Sequence, residues 1–146
     1  MSTTKTIDWK DLAATSHYQT AVAVEGALQR GDVRDATQGI QELIDALSRA
    51  DRRAVRSHLV VLMRHIIKWQ SQPERRSKSW RLSIRNARRE IEAIREETPS
   101  INREAIERIW PNCFHEAKEN AEDEMDRPSD VDCLNWQDVF ETEYRL

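Results

Sequence analysis

The sequence has few of the residues that interrupt helices. It contains three glycines and four prolines in 146 residues, whereas charged residues make up 34% of the chain. Arg, Glu and Lys lose little side-chain freedom in a helix, and glycine and proline are the residues that turn-rich folds need most. The composition therefore disfavours an all-β protein. We expect an all-α fold, a single helical bundle of five or six helices with a central apolar helix.

Long apolar runs are absent and cysteines are few. No stretch comes near the roughly eighteen apolar residues that a membrane helix requires, and residues 1–10 lack the apolar core of a signal peptide. The two cysteines, Cys113 and Cys133, have no metal-binding spacing, and we expect two reduced thiols. These absences predict a cytoplasmic protein without membrane contact, bound metal or cofactor.

Charge is distributed unevenly along the chain. Residues 1–63 carry eight basic and eight acidic residues, residues 64–89 carry nine basic and one acidic (+8), and residues 90–146 carry six basic and seventeen acidic (−11), which sum to the net charge of −3. The sequence therefore predicts a basic patch and an acidic face that are able to pair with each other.

Apolar periodicity is strongest over residues 51–70. Val55, Leu59, Leu62, Ile66 and Trp69 recur at alternating spacings of four and three, which indicates one face of a helix. Further apolar residues extend this face around most of the circumference of the helix. A helix that is apolar on nearly all sides is expected at the centre of a bundle. Before it, we predict a flexible tail over 1–15, a helix over 16–30, a helix over 32–48 and a break near 48–51. Residues 16–146 would form a single domain.

Capping and breaking residues place the other helix ends. Ser16 is a suitable cap for the first helix, and Gly31 follows its end. After Pro73, we predict a fourth helix from Ser79 to Pro99, antiparallel to the central one, with Trp69 and Trp80 in one core cluster. We predict a fifth helix from Ser100 to Met125, which Pro111 kinks or splits. A short sixth helix follows, capped by Asn135.

The most distinctive passage runs from His65 to Trp80. Its segments Lys68-Trp69-Gln70, Gln72-Pro73-Glu74-Arg75-Arg76 and Ser79-Trp80, with His65, Ser83-Ile84-Arg85, Arg88-Arg89 and Cys133, resemble the signature of one bacterial family. That family is the domain of unknown function number twenty-nine, and the resemblance covers roughly residues 17–146. It implies a small, mainly helical bacterial protein and carries no established activity.

The chain departs from that family pattern in the first two predicted helices. The pattern has polar or acidic residues where this chain has Gln38, Gly39 and Leu43, and an aromatic and an acidic residue where it has Thr20 and Ala23. The carboxylates Glu42 and Asp45 are retained. An activity that needs the missing groups would be lost here.

The basic passage offers the candidate site. Arg81, Arg85 and Arg88 recur along one helical face, and planar guanidinium forks suit phosphate or carboxylate recognition. The candidate contacts for an anion or a partner are His65, Lys68, Arg75, Arg76, Arg81, Arg85 and Arg88, with Lys78 and Arg89 beside them. Three interpretations stay open: these cations pair internally with Glu42, Asp45 and the acidic C-terminal third, they bind phosphate or nucleic acid with Trp69 and Trp80 stacking, or they bind a protein. We expect His65 to be a hydrogen-bonded structural residue.

An enzymatic alternative depends on Arg53 and His58. Their spacing matches the Arg, four to six residues, His pattern of ribonucleases with the higher eukaryotes and prokaryotes nucleotide-binding fold. Arginine is so frequent in this chain that the match is weak, and the chain has no glycine-rich phosphate loop or nucleophile motif. We therefore predict an interaction or regulatory module, with an unidentified protein partner or self-association through the alanine-rich first helices. The alternatives are a toxin-like RNA-cleaving enzyme and a protein that binds nucleic acid or phosphate.

Overall fold

A computed structural model of the protein describes residues 6–146. These residues form α1 (Trp9–Thr15), α2 (His17–Gln29), α3 (Val33–Ser71), a 3₁₀ turn (Pro73–Arg75), α4 (Lys78–Glu97), α5 (Arg103–Met125) and α6 (Trp136–Phe140). No strand occurs within residues 6–146. The fold class is the all-α helical bundle that the composition predicts. None of the helices described is both long and apolar enough to cross a bilayer.

The chain divides into two compact units, Met1–Asp51 and Arg52–Leu146. That residues 16–146 form a single domain stays a prediction. Within the predicted tail, Trp9–Thr15 is helical. Asp8 caps α1 by accepting a hydrogen bond from the Asp11 amide, and Trp9 and Ala13 are buried. The Trp9 indole N–H donates to Asp35 Oδ1 over 2.7 Å, and so α1 is tied to the start of α3. Residues 1–5 of the predicted tail lie outside the residues described.

The core of the N-terminal unit is small and closely packed. It consists of Trp9, Val24, Ala27 and Ala36, with Ile7, Leu12 and Ala23 against it. A Cβ added to Gly39 would lie 2.7 Å from the Trp9 ring and 2.8 Å from a Val24 methyl. Only glycine leaves room for that approach, which is why a residue unfavourable in helices stands in the middle of α3.

The break predicted near residues 48–51 is wrong. Helix α3 runs without interruption for 39 residues through that segment. Ser48, Arg49, Ala50 and Asp51 include no glycine or proline, and Arg and Ala are among the best helix formers. The weaker apolar periodicity there reflects the change from one unit to the other and does not mark a helix end.

The C-terminal unit has the large core. Five side chains of α3, those of Leu59, Leu62, Met63, Ile66 and Ile67, have no exposed surface, as expected of a central apolar helix. Trp69 belongs to the same cluster and Trp80 packs against it, which confirms that both tryptophans join one core. Cys113 is buried, Cys133 is exposed, and both are free thiols.

The later helix ends differ from the predicted ones by a few residues. Ser77, not Ser79, caps α4 by accepting a hydrogen bond from the Trp80 amide. Asn102, not Ser100, caps α5, and this helix continues through Pro111 without splitting. Asn135 caps α6 as predicted, in a reciprocal capping box with Asp138.

Candidate functional site

The first half of α4 carries a row of exposed arginines. Arg81, Arg85 and Arg89 are exposed, and none of them forms an ion pair or hydrogen bond with a carboxylate among residues 6–146. Seven residues separate Arg81 from Arg88, which places them about 10.5 Å apart along the axis on nearly the same face. We call these four side chains, Arg81, Arg85, Arg88 and Arg89, the α4 arginine row.

Arg88 differs from its neighbours because it is held by the backbone. Its Nε donates to the Val139 carbonyl over 2.7 Å and its Nη2 to the Asp138 carbonyl over 3.3 Å. The guanidinium carbon lies 5.5 Å from the centre of the Tyr144 ring. Burial lowers the pKa of Arg88 from its ordinary value. Arg88 therefore holds α6 and the C-terminal residues against α4. The side chains of the other three arginines have no hydrogen-bond partner within residues 6–146.

A cleft of about 580 Å³ lies along this row. Its other wall is the C-terminal segment, in which the Tyr144 hydroxyl donates to the Asp138 carbonyl over 2.6 Å. The Tyr144 ring meets Trp69 edge to face, with ring centres 5.7 Å apart. Burial and the nearby Asp138 carboxylate raise the pKa of Tyr144. The cleft thus has fixed walls and carries several cations. Its lining comprises Arg81, Leu82, Ile84, Arg85, Arg88, Arg89, Glu92, Glu143, Tyr144, Arg145 and Leu146.

The basic residues of the α3 to α4 turn have other roles. Arg76 Nε donates to the Trp69 carbonyl over 2.9 Å, and its guanidinium lies 5.1 Å from the Trp69 ring. Lys68 Nζ bonds Glu124 over 2.8 Å and lies 4.8 Å from the Trp80 ring. Trp69 is only 3% exposed. These contacts close the turn and leave no exposed face of Trp69 on which a base could stack.

His65 lies beside this turn on α3. Its Nδ1 donates to the Val61 carbonyl over 2.8 Å, because a carbonyl oxygen only accepts. Burial lowers the pKa of His65, and the charges of Arg64 and Lys68 lower it further, against the opposing effect of the Val61 hydrogen bond. Hydrogen bonding and burial are what a structural histidine requires.

Glu124 is the carboxylate on which two cations of α3 converge. Burial would raise its pKa, but the Lys68 hydrogen bond and the charges of Arg64 and Lys68 outweigh it, and the pKa of Glu124 is lowered. Arg64 Nε lies 3.6 Å from Glu124 Oε1, too far for a hydrogen bond, and it is buried without any hydrogen-bond partner. The acidic α5 therefore neutralises part of α3.

The remaining predicted residues are not brought to the cleft. Glu42 and Asp45 lie in the N-terminal unit, whereas the α4 arginine row lies in the C-terminal one, and their pairing stays a prediction. Arg53 and His58 lie on the uninterrupted α3. Five residues along a helix rotate side chains by about 140°, and these two therefore point in different directions.

The described residues also do not assemble a carboxylate and histidine site on α5. His115 Nε2 lies 3.2 Å from Glu119, but Glu122 accepts a hydrogen bond from the Ser129 amide instead. Within residues 6–146 there is no group of three or more His, Cys, Asp or Glu side chains arranged to hold a metal ion.

Sequence reasoning missed three parts of the site. No motif or spacing marks Tyr144, the carbonyls of residues 138 and 139, or Glu124. The two carbonyls and Glu124 bond side chains that lie 50 or more residues away in sequence, and Tyr144 packs its ring against Trp69. Only the charge asymmetry pointed to Glu124, as one of many acidic residues in the C-terminal third.

Comparison with known proteins gives a family without an activity. No curated protein matches the chain, and no solved structure does. The family model described as domain of unknown function DUF29 matches residues 26–144, which include α3, α4, α5, α6 and Tyr144 and leave out Trp9–Thr15. The chain therefore belongs to the DUF29 family.

Proposed function

We propose that the protein is an interaction module that uses the cleft on α4 to bind a carboxylate-bearing segment of a protein partner. The observation that carries this proposal is the contrast between two sets of arginines. Arg56, Arg103 and Arg108 each pair with a glutamate at 2.8 to 3.0 Å. Arg81, Arg85 and Arg89 form no such pair within the described residues, although they line a cleft.

The position of this charge supports a binding role. Arginines spaced three and four residues apart repel one another, by a few tenths of a kcal/mol for each pair. Positive charge is also unfavourable near the N-terminal end of a helix, where α4 begins with Lys78. An arrangement that costs stability in the free protein is expected where an anionic ligand offsets the cost.

The lining of the cleft favours a protein segment over nucleic acid. Leu82 and Tyr144 provide apolar surface, and Glu92 and Glu143 add negative charge to the rim. Glu92 and Glu143 repel any anion, but a peptide with a few spaced Asp or Glu side chains has a lower charge density than a phosphodiester chain and would meet both the arginine forks and apolar surface. Trp69 and Trp80 are occupied by Arg76 and Lys68 and support stacking poorly.

Fluorescence anisotropy with a labelled peptide in which a few glutamates are spaced among apolar residues tests this proposal. We expect binding to the full chain at low salt, weakening as salt increases, and a loss of about tenfold or more in Arg85→Glu, because a repulsive charge replaces an attractive one. Arg49→Glu is the matched control, since Arg49 is also exposed and the change in charge is the same. Equal binding by both variants would contradict the proposal.

The alternatives are tested in the same experiment. Single-stranded RNA and duplex DNA of matched label are titrated in parallel, and the RNA is analysed for cleavage. Tighter binding of nucleic acid than of the glutamate-containing peptide, lost in Arg85→Glu, would favour the phosphate-binding alternative. Cleavage that disappears in His58→Ala would favour the enzyme.

A further inference from the structure

Most of the exposed large apolar side chains lie in the N-terminal unit. Seven of the eight large hydrophobic residues exposed in the described chain lie between residues 18 and 47. They are Tyr18, Val22, Leu28, Val33, Ile40, Ile44 and Leu47. Among residues 6–51, the large apolar side chains that are buried are those of Trp9 and Val24, together with alanines. So small a core contributes little to offset the ordering of about fifty residues, and burial of the exposed apolar side chains would add stability.

The exposed side chains of α3 form one line. Val33, Ile40, Ile44 and Leu47 follow one another at spacings of seven, four and three, which is the periodicity of a helix seam. We call these four residues the α3 stripe. It lies about 90° around the helix from the buried face of Ala36 and Gly39. The stripe is therefore a second contact surface, separate from the core of its own unit.

Leu28 extends this surface onto α2. Val24 and Ala27 pack with Ala36, and the two helices are joined by a connection of only a few residues, which makes them an antiparallel hairpin. Leu28 follows Ala27 by one residue, as Ile40 follows Gly39, and in an antiparallel hairpin such positions lie on the same side. The hairpin thus presents a flat apolar side of the kind that two copies bury in a four-helix arrangement.

We propose that the α3 stripe is a dimer interface that packs antiparallel against the α3 stripe of a second copy. A twofold axis that places Val33 opposite Ile44 of the second copy also places Ile40 opposite Thr37 of the second copy. The same surface serves both copies, as in any isologous interface. This inference does not depend on the function of the α4 cleft.

Charge complementarity favours a second copy over other occupants. Arg34 and Asp45 each follow a stripe residue by one position, and they therefore lie on the same flank of the helix. In an antiparallel twofold pair, equal flanks of the two helices meet. The register that opposes Val33 and Ile44 then brings Arg34 of each copy to Asp45 of the other, twice by symmetry. No like charges meet along this flank, since Gln41 and Ser48 are its other residues.

The first test is sedimentation equilibrium of the full chain. We expect a dimer, and we expect Ile44→Glu to raise its dissociation constant by about a hundredfold or more, because two buried charges would meet apolar side chains. Gln38→Glu, which introduces the same charge at an exposed position about 140° around the helix from Val33, should leave the dimer intact. Ile44 is 58% exposed, and the variant should keep the wild-type circular dichroism. A monomer at high micromolar concentration, or an open-ended series of larger species, would overturn the proposal.

A charge exchange tests the register. Arg34→Asp and Asp45→Arg should each weaken the dimer several-fold by bringing like charges together, and the double variant should recover it. Within one chain these residues lie about 16 Å apart along α3, too far for direct rescue. Recovery in the double variant therefore reports a contact between copies. Additive weakening would overturn the antiparallel register, and unchanged dimers in all three variants would place the interface elsewhere.

Discussion

Arg88 and Arg85 lie one turn apart on α4, but Arg88 contacts other parts of the fold and Arg85 is exposed. Arg88 donates to two backbone carbonyls and contacts the Tyr144 ring, whereas Arg85 is exposed and has no carboxylate partner within the described residues. Sequence spacing alone puts both on the same face. The difference comes from the carbonyls of Asp138 and Val139, which accept hydrogen bonds from Arg88.

Substitution of these two residues should therefore give different results. Arg88→Met leaves the Val139 and Asp138 carbonyls without their donor, and we expect the free energy of unfolding to decrease by about 1 to 3 kcal/mol. Arg85→Met should change it by less than about 0.5 kcal/mol. Urea denaturation measures both values. A loss of equal size in the two variants would contradict the distinction between a structural and a binding arginine.

His65 should make stability depend on pH. Burial lowers its pKa in the folded protein below the ordinary value of 6.5. As pH falls through that value, the unfolded chain binds a proton that the folded chain does not, and the free energy of unfolding decreases until the lowered folded pKa is reached. Above that window the stabilisation is complete. Glu124 does not titrate in this window, because its pKa is lowered from 4.5.

Urea denaturation at several pH values between about 7.5 and 5 measures this effect. His65→Gln should flatten the decrease, since glutamine can still donate to the Val61 carbonyl but does not titrate. His115→Gln is the control, because His115 is exposed and pairs only with Glu119 on its own helix. A decrease of the same size in His65→Gln and the wild type would assign the dependence to other groups.

At the scale of elements, the uninterrupted α3 is the main feature. Its first half supplies the small residues Ala36 and Gly39 to one core, and its second half supplies large aliphatic residues to another. One helix can serve both because its apolar face changes in side-chain size along its length. Gly39 is the position where this demand for small size is strictest.

Two glycine substitutions should have opposite signs. Gly39→Ala gains about 1 kcal/mol of helix propensity, but its Cβ would lie 2.7 Å from the Trp9 ring and displace it, and we expect net destabilisation. Gly26→Ala, in α2, would meet only a flexible Arg30 side chain at 3.4 Å, and we expect a gain of about 0.5 to 1 kcal/mol. Thermal unfolding compares the two. Stabilisation by Gly39→Ala would show that Trp9 does not pack as described.

Local signals predicted part of these elements well. Ser16 and Asn135 each cap a helix by accepting a hydrogen bond from the amide three residues later. Such a local contact depends on residue type and position, and the sequence therefore predicts it. The central helix and the joint core of Trp69 and Trp80 followed from apolar periodicity. Helix α1 could not be predicted, because its seven residues have little periodicity and are ordered by the burial of Trp9 against residues of α3. Ser77 and Ser79 are both good caps, and tertiary packing chose between them.

The candidate site was predictable only as a list of cations. Helical spacing placed Arg81, Arg85 and Arg88 on one face, and the structure places a cleft there. Which cations are paired could not be read from sequence, because Lys68 and Arg64 meet Glu124 across some sixty residues of chain. The acidic C-terminal third contains too many carboxylates for the sequence to select one.

At the scale of the whole molecule, charge and core are both divided unequally. Glutamates of α5 pair with Arg56, Arg64 and Lys68 of α3, so that the acidic face neutralises α3 and not the α4 arginine row. The C-terminal unit holds the fully buried aliphatic side chains, whereas the N-terminal unit packs around one tryptophan and small residues. Stability should therefore change along α3 itself, although the helix is continuous.

Native-state hydrogen exchange tests this expectation at residue resolution. Amides at residues 55–69 of α3 lie over a core of side chains with almost no exposed surface, and those at residues 36–47 lie over alanine and glycine. Local opening must break the apolar contacts beneath a segment. We therefore expect the amides of residues 36–47 to exchange faster than those of residues 55–69, by a factor on the order of ten or more. The experiment uses Ile44→Glu, so that protection by a dimer does not mask the difference. Equal protection along all of α3 would mean that the helix opens only as one unit, and that the N-terminal core is as strong as the C-terminal one.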